Sequence, residues 1–207
     1  MSRAIIFDFD GTLADTVPTI RETYKEIAKK RGLPQIDETT FLRLRKGNVK
    51  DVIKFVGIRP WQLPGAINQG RKIFAEKADQ IHLFSGVDQL IEKLHKNDVQ
   101  LYILSSNSES TITKILRRYN LDDKITVLKT SPIFGKAASI KKLVKILGYK
   151  NSDVFMVGDE VRDIEAGQKA GAKTVAVTWG LQDPTSLKAQ KPDHLAKKIQ
   201  DLSKILF

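Results

Sequence analysis

Two carboxylates one residue apart, Asp8 and Asp10, stand at the end of the apolar run Ile5-Ile6-Phe7 and immediately before Gly11. A run of this kind reads as a central strand, and the C-terminal tip of such a strand is where open α/β sheets bind their ligands. Neighbouring acids repel unless a cation or a proton joins them, so the pair asks for a metal. A strand's period of two points both side chains to one face, but Gly11 can break the strand there and re-aim Asp10. One acid can then attack while the other handles protons. Alone, Asp-x-Asp also describes a turn stabilised by Asp side chains. The rest of the chain decides between the two.

Three later stretches carry groups suited to an anion or a cation. Leu101-Tyr102-Ile103-Leu104 runs into Ser105-Ser106-Asn107 and polar residues that open a helix. Hydroxyls and free backbone N–H groups at such a place cradle an anion, although the same residues also cap helices. Lys136 follows Pro132-Ile133-Phe134-Gly135 at the start of a helix. The macrodipole slightly disfavours a cation there, so a specific anionic partner explains it better than capping. Val154-Phe155-Met156-Val157 ends in Gly158-Asp159, and Asp163 follows Asp159 by one helical turn, so both acids can face one pocket. With Asp8 they form an oxygen cage of the kind Mg²⁺ needs, water completing the octahedron. Glu160 is expected to face solvent or accept a hydrogen bond.

Asp8-Phe9-Asp10-Gly11-Thr12-Leu13-Ala14-Asp15-Thr16 closely resembles the first motif of the haloacid dehalogenase-like superfamily, and the other three stretches resemble its later motifs in order. After the first, Gly158-Asp159-x-x-x-Asp163 is the most specific. The resemblance implies an α/β fold with a Rossmann-like parallel sheet core and an inserted all-helical cap. It implies that Asp8 is the nucleophile, forming an aspartyl-phosphate, and that Asp10 is general acid and then base, its backbone carbonyl contacting Mg²⁺. It makes Ser106 the second-motif hydroxyl, with Ser105 as the register alternative and Asn107 beside it. Lys136 would stabilise nucleophile and phosphoryl charge, Asp159 would bind the metal directly, and Asp163 would be a ligand or an outer carboxylate. Gly11 and Thr12 fall among the substrate-binding positions. Dehalogenases of this superfamily lack an acid at the Asp10 position, so its presence favours phosphate chemistry. Sugar phosphomutase relatives use a cap histidine where this chain has Ile20, which favours hydrolysis over phosphoryl shuttling.

The elements that must position these groups are legible in the periodicity. Val17 to Arg31 reads as a helix, capped by Asp15 or Thr16, tolerating Pro18 in its first turn and stopped by Gly32 and Pro34. Helical pieces follow at about 37–45, 49–55 and 60–78, separated by Gly47, Gly57 and Pro60. From Gly86 onward helix and strand alternate: helices at 87–96, 111–119, 137–147 and 163–170, strands at 99–104, 126–128, 154–157 and 174–177. That alternation predicts a parallel sheet wrapped by helices. The expected division is a core of residues 1–15 and 83–207 with a helical cap of 16–82, sited to cover the pocket.

The chain has 207 residues, enough for one α/β domain with a modest insertion. It contains no cysteine, which excludes disulfides, a thiolate nucleophile and a thiolate metal site, and leaves hard cations such as Mg²⁺ on oxygen ligands. No apolar run approaches the roughly 20 residues of a membrane span and the chain enters a strand at once, so a cytoplasmic protein without signal peptide is expected. A formal charge of +11 admits anionic partners, but the lysines are spread along helices as on solvated faces. With no aromatic-interleaved basic strip, nucleic acid is permitted and not favoured. The three histidines lie far apart in sequence and show no ligand pairing; Trp179 is expected to pack in the core or line a pocket rim.

Within the cap, Arg43, Arg45, Lys46 and Lys50 surround Gly47-Asn48 at a helix break. Arg45 and Lys46 are the candidates to reach an acidic leaving group such as glycolate or a second phosphate. The reading is a Mg²⁺-dependent phosphomonoester hydrolase of the phosphoglycolate phosphatase kind, a monomer or weak dimer acting on a small phosphorylated metabolite. Its alternatives are a phosphatase for another sugar phosphate, nucleotide or nucleic-acid end, and a binding or regulatory protein that keeps the fold without turnover.

Overall fold

A central strand with four wholly buried residues, β1 (Ala4–Phe7), organises the molecule. The computed structural model describes residues 3–128 and 135–207. β1 is flanked by β2 (Gln100–Ile103) on one side and β4 (Val154–Gly158) on the other, with Phe7 opposite Ile103 and Val157. β3 (Thr126–Val127) lies outside β2, while β5 (Lys173–Val177) and β6 (His194–Ala196) extend the sheet beyond β4. The order is β3-β2-β1-β4-β5-β6, all parallel. Strand order therefore reverses between β1 and β4, and the crevice at their carboxyl ends is the place such a sheet leaves for a ligand.

Both sheet faces are covered, which is why the strands are apolar runs and not alternating ones. Ile5, Phe7, Ile103 and Val157 pack on one side against α5 (Val87–Lys96), α6 (Glu109–Arg117) and α10 (Ile199–Leu206). Ala4, Ile6, Tyr102 and Met156 pack on the other against α7 (Lys136–Leu147) and α8 (Val161–Ala170). A short helix, α9 (Pro184–Ala189), precedes β6.

Between β1 and α5 the described elements are helical: α1 (Val17–Arg31), α2 (Glu38–Leu44), α3 (Val49–Val56) and α4 (Leu63–Glu76), with 3₁₀ turns at Pro60–Gln62 and Ala78–Gln80. This is the inserted all-helical cap. The two crossings between sheet and cap run side by side: Asp15 N donates to His82 O and Phe84 N to Leu13 O, each at 2.9 Å. α1 starts and stops where the sequence predicts, Gly32 closing it in a left-handed conformation. Thr16 is its N-cap without a side-chain bond. The helix expected over 60–78 is instead a helix between two 3₁₀ turns, because Pro60 and Pro64 each open a new helical start.

Candidate active site

The acidic centre forms where β1 and β4 end. Asp8, Lys136, Asp159 and Asp163 are 2%, 4%, 0% and 0% exposed. Their positions follow from the sheet's alternation and the helix starts. Asp8 continues the even-numbered series Ala4, Ile6, whose members pack toward α7 and α8. Lys136 is the first residue of α7 and Asp163 lies in the first turn of α8. Lys136 Nζ bridges Asp8 Oδ2 at 2.7 Å and Asp163 Oδ1 at 2.6 Å. These carboxylates are the anionic partner that its unfavourable place at a helix N-terminus calls for. Burial alone would pull the ammonium's pKa down, but Asp163 and Asp8 outweigh it and hold it above the usual lysine value.

Asp159 is fixed by two donors and by two close passes of the backbone. Thr12 Oγ1 donates to its Oδ1 at 2.8 Å, Leu181 N donates to its Oδ2 at 2.7 Å, and the chain passes close at Gly11 and Gly180. A Cβ at either glycine would stand 2.3 Å from Asp159 Oδ2, and Gly11 also has φ +74. Only glycine meets both demands at position 11. Asp163 Oδ2 accepts from Glu160 N at 3.1 Å in the capping box that starts α8, leaving Oδ1 for Lys136.

One carboxylate oxygen from each of Asp8, Asp159 and Asp163 lies within 4.8 Å of the others. Three ionised acids against the single charge of Lys136 leave a deficit that a divalent cation fits. Burial first, then Glu160, Asp8 and Asp163, hold the Asp159 carboxyl well above the usual carboxylate range. Burial pushes Asp163 up to about 6 against the pull of Lys136. Asp8 Oδ2 is buried with no hydrogen-bond donor in line, Lys136 Nζ being close enough for an ion pair only. An all-oxygen set of this kind suits a hard cation. The side chain of Asp10 stands outside this cluster.

Asp10 is turned across the crevice to the end of β2, where Ser105 Oγ donates to Oδ2 at 3.2 Å and Asn107 Nδ2 to Oδ1 at 3.3 Å. Burial and the neighbouring Asp8 charge push its pKa up to about 7, against the pull of those two donors. A carboxyl so poised exchanges a proton near neutrality. Here the expected register is corrected. The hydroxyl that meets Asp10 belongs to Ser105, which is buried and also accepts from Asn107 N at 3.0 Å. Ser106 instead presents its carbonyl to Arg71, whose Nε and a terminal nitrogen donate at 3.0 and 2.7 Å. Past the end of β2 the chain bends, bringing the Ser105 hydroxyl to Asp10, while Ser106 lines the cavity.

A cavity of about 440 Å³ lies above this floor, under α1, α3 and α4. Of the cap cations expected to reach substrate, Arg45 lines the cavity, but Nε donates to Leu181 O at 2.5 Å and a terminal nitrogen to Gly180 O at 3.0 Å. Lys46 is exposed and does not line it; its carbonyl accepts from Ser186 Oγ at 2.9 Å. The Arg45–Gly47 loop thus docks the cap on the core. Asp183 N donates to Arg45 O at 2.9 Å, and Gln182 joins Gly47 O to the first N–H of α8 through its two amide ends.

Sequence reasoning missed Arg71, Arg162 and Gln182. Arg71 interrupts the apolar face Ile67, Gly70, Phe74 of α4, a signal that was there to read. Arg162 lines the cavity and is held by Glu160 at 2.5 Å, so Glu160 accepts a hydrogen bond at the cavity edge and is not simply solvated. Trp179 packs against the core and donates to Thr12 O at 3.1 Å. His82, His95 and His194 stay exposed outside the site, His82 meeting Tyr119 Oη at 3.3 Å. Pro132, Ile133 and Phe134 of the Lys136 stretch lie outside the described residues.

A parallel 3-2-1-4-5-6 sheet with an acid at each lip of its switch point, a buried lysine between carboxylates and a helical lid define a capped α/β hydrolase. Residues 5–177 match the model of the haloacid dehalogenase-like hydrolases. A phosphoglycolate phosphatase of Synechococcus elongatus is 36% identical over 201 residues, 97% of this chain and 95% of that protein. The chain belongs to the haloacid dehalogenase-like hydrolases. A pyrophosphatase, PpaX, of Listeria monocytogenes is 26% identical over 227 residues, 98% of this chain and 95% of that protein. Among solved structures, a haloacid dehalogenase-like hydrolase from Streptococcus pneumoniae superposes with TM-score 0.82 at 22% identity, covering 100% of this chain and 99% of that one. A Pseudomonas syringae hydrolase does so with TM-score 0.79 at 23% identity, covering 100% and 98%. The fold class and the family expected from the motifs agree with these findings, and so does an enzyme of the phosphatase kind. Among the described residues no helix is long and apolar enough to cross a membrane.

Proposed function

We propose that the protein is a Mg²⁺-dependent phosphomonoester hydrolase working through an aspartyl-phosphate on Asp8, with residues 16–82 as a cap over a core of 1–15 and 83–207. The observation that carries this reading is the pairing of two acids with different environments. Asp8 is buried beside Lys136 and two metal-competent carboxylates, whereas Asp10 is hydrogen-bonded to Ser105 and Asn107 and poised near neutral pH.

Asp8 attacks phosphorus as the leaving oxygen departs and takes the proton of Asp10. Asp10, now a carboxylate, draws a proton from water, which hydrolyses the acyl phosphate and frees Asp8. Lys136 offsets the charge on Asp8 and on the phosphoryl oxygens; Ser105 and Asn107 hold Asp10 and offer donors beside the phosphoryl group. Asp8, Asp159, Asp163 and the Asp10 carbonyl would hold Mg²⁺, which supplies charge neutralisation and orientation at the phosphoryl oxygens. Gly11 and Thr12 serve by letting the chain approach Asp159 and by orienting it.

The test is phosphate release from a panel of phosphomonoesters with and without Mg²⁺, beside Asp8→Asn. Metal-dependent turnover lost in the variant is expected. No turnover by folded, Mg²⁺-loaded protein across a broad panel would turn the reading to a binding or regulatory protein.

A further inference from the structure

The cap gives the cavity a mostly apolar lining of unusual regularity, broken by Thr23, Tyr24 and Arg71. Three helices each present an i, i+3, i+4, i+7 face to it: 20, 23, 24 and 27 of α1, 49, 52, 53 and 56 of α3, and 67, 70, 71 and 74 of α4, with only position 56 outside the lining. Such faces normally bury themselves against protein. Here Ile20, Val49, Val52, Ile53 and Ile67 are only half-buried, and Val56 is the one buried residue of α3. Their apolar surface borders about 440 Å³ of space, within the range of sites that enclose whole small organic molecules and far more than a two-carbon acid fills.

The cations lie at the floor, and each has a protein partner, although Arg162 Nε there and Thr23 Oγ1 in the cap wall are buried without one. Arg45 and Arg71 donate to backbone carbonyls of the core, and Arg162 is paired with Glu160. A second anionic group carried higher into the cavity would meet mainly apolar walls.

We propose that the cavity takes a phosphomonoester whose alcohol part is bulky and largely apolar, in preference to a two-carbon carboxylic acid. This rests on the phosphatase reading and specifies the leaving group. The phosphoryl group sits at Asp8 and Lys136, and the ester's organic part rises past Asp10 between α1, α3 and α4. Hydrolysis adds water across the P–O bond: phosphate is released and the alcohol keeps its oxygen, protonated by Asp10. The apolar walls gain by excluding water from that alcohol.

The experiment measures kcat/KM of the full chain with Mg²⁺ for phosphoglycolate, glycerol phosphate, hexyl phosphate and 1-naphthyl phosphate, beside Val52→Asp. In parallel, the affinities of naphthylmethylphosphonate and phosphonoacetate for the same Mg²⁺-loaded protein are measured by calorimetry. The apolar esters should exceed phosphoglycolate by about tenfold or more, and Val52→Asp should narrow that ratio by a similar factor. Phosphoglycolate turned over as well as the apolar esters, or better, overturns the proposal and leaves the phosphatase reading intact. Absence of turnover for every ester counts against the phosphatase reading, and the phosphonates then decide the cavity's preference. Tighter binding of the naphthyl compound upholds it; equal or weaker binding overturns it.

Discussion

Two carboxylates separated by Phe9 carry different tasks because their neighbours differ. Asp10 has a pKa near 7, so a substantial fraction is protonated at neutral pH and can donate to a departing oxygen. In kcat/KM, which reports the attack by Asp8 and departure of the alcohol, Asp10→Asn should therefore cost about 10²-fold or more on alkyl phosphates and much less on aryl esters whose leaving groups need no proton. Equal losses in kcat/KM on both would remove Asp10 from the role of acid to the leaving oxygen. Ser105→Ala should lower kcat by about tenfold or more, since its hydroxyl holds Asp10, whereas Ser106→Ala keeps the carbonyl that Arg71 uses and should stay within about twofold. The reverse order would return the hydroxyl to Ser106. The sequence showed both serines at the strand end but not the register, because a one-residue difference is decided by where β2 stops pairing and the chain bends. Asp8, Lys136, Asp159 and Asp163 were legible because each marks the end of a strand or the start of a helix.

At the scale of elements, the cap is held by a loop-on-loop latch. Arg45 reaches the carbonyls of Gly180 and Leu181, and Gln182 spans from Gly47 to the start of α8. Both sit beside Leu181, whose N–H fixes Asp159. The latch therefore joins cap position to the metal-competent carboxylates. Arg45→Ala should raise KM and increase amide hydrogen exchange over residues 43–50, with fold and melting temperature nearly kept. Unchanged exchange there would show that the latch does not restrain the cap. Helices and strands were legible where periodicity was strong, as in α1 and α5. α9, β6 and α10 went unread: β6 is three residues long and its single buried residue, Ala196, gives no alternation to detect. The latch was also invisible, because it pairs backbone carbonyls, which carry no sequence signature, with side chains more than a hundred residues away.

For the whole molecule, the carboxylate cluster couples metal, proton and stability. Asp163 is held at about 6 in the folded protein against an ordinary value of 3.8. At pH 5 the folded state keeps this proton and the unfolded chain does not. This group therefore favours the metal-free fold at low pH, and that contribution is lost as pH rises from about 4 through about 6. Mg²⁺ competes with the protons of Asp163 and Asp159, both held above their ordinary values, so its stabilisation of Tm should be smaller at pH 5 than at pH 7. A Tm gain independent of pH would show that the cation binds elsewhere. The net charge of +11 has no counterpart in the site, whose acids and bases nearly balance once a divalent cation is counted.

The central claim is the covalent step on Asp8. The most direct measurement is acid quench of the working enzyme followed by borohydride reduction and mass spectrometry of the peptide containing residues 4–21. An acyl phosphate is reduced to the alcohol, so Asp8 should appear as homoserine only with substrate and Mg²⁺, and the Asp10→Asn variant given an aryl ester should accumulate it. Sustained Mg²⁺-dependent turnover with Asp8 never converted, together with full activity in Asp8→Asn, would contradict the account.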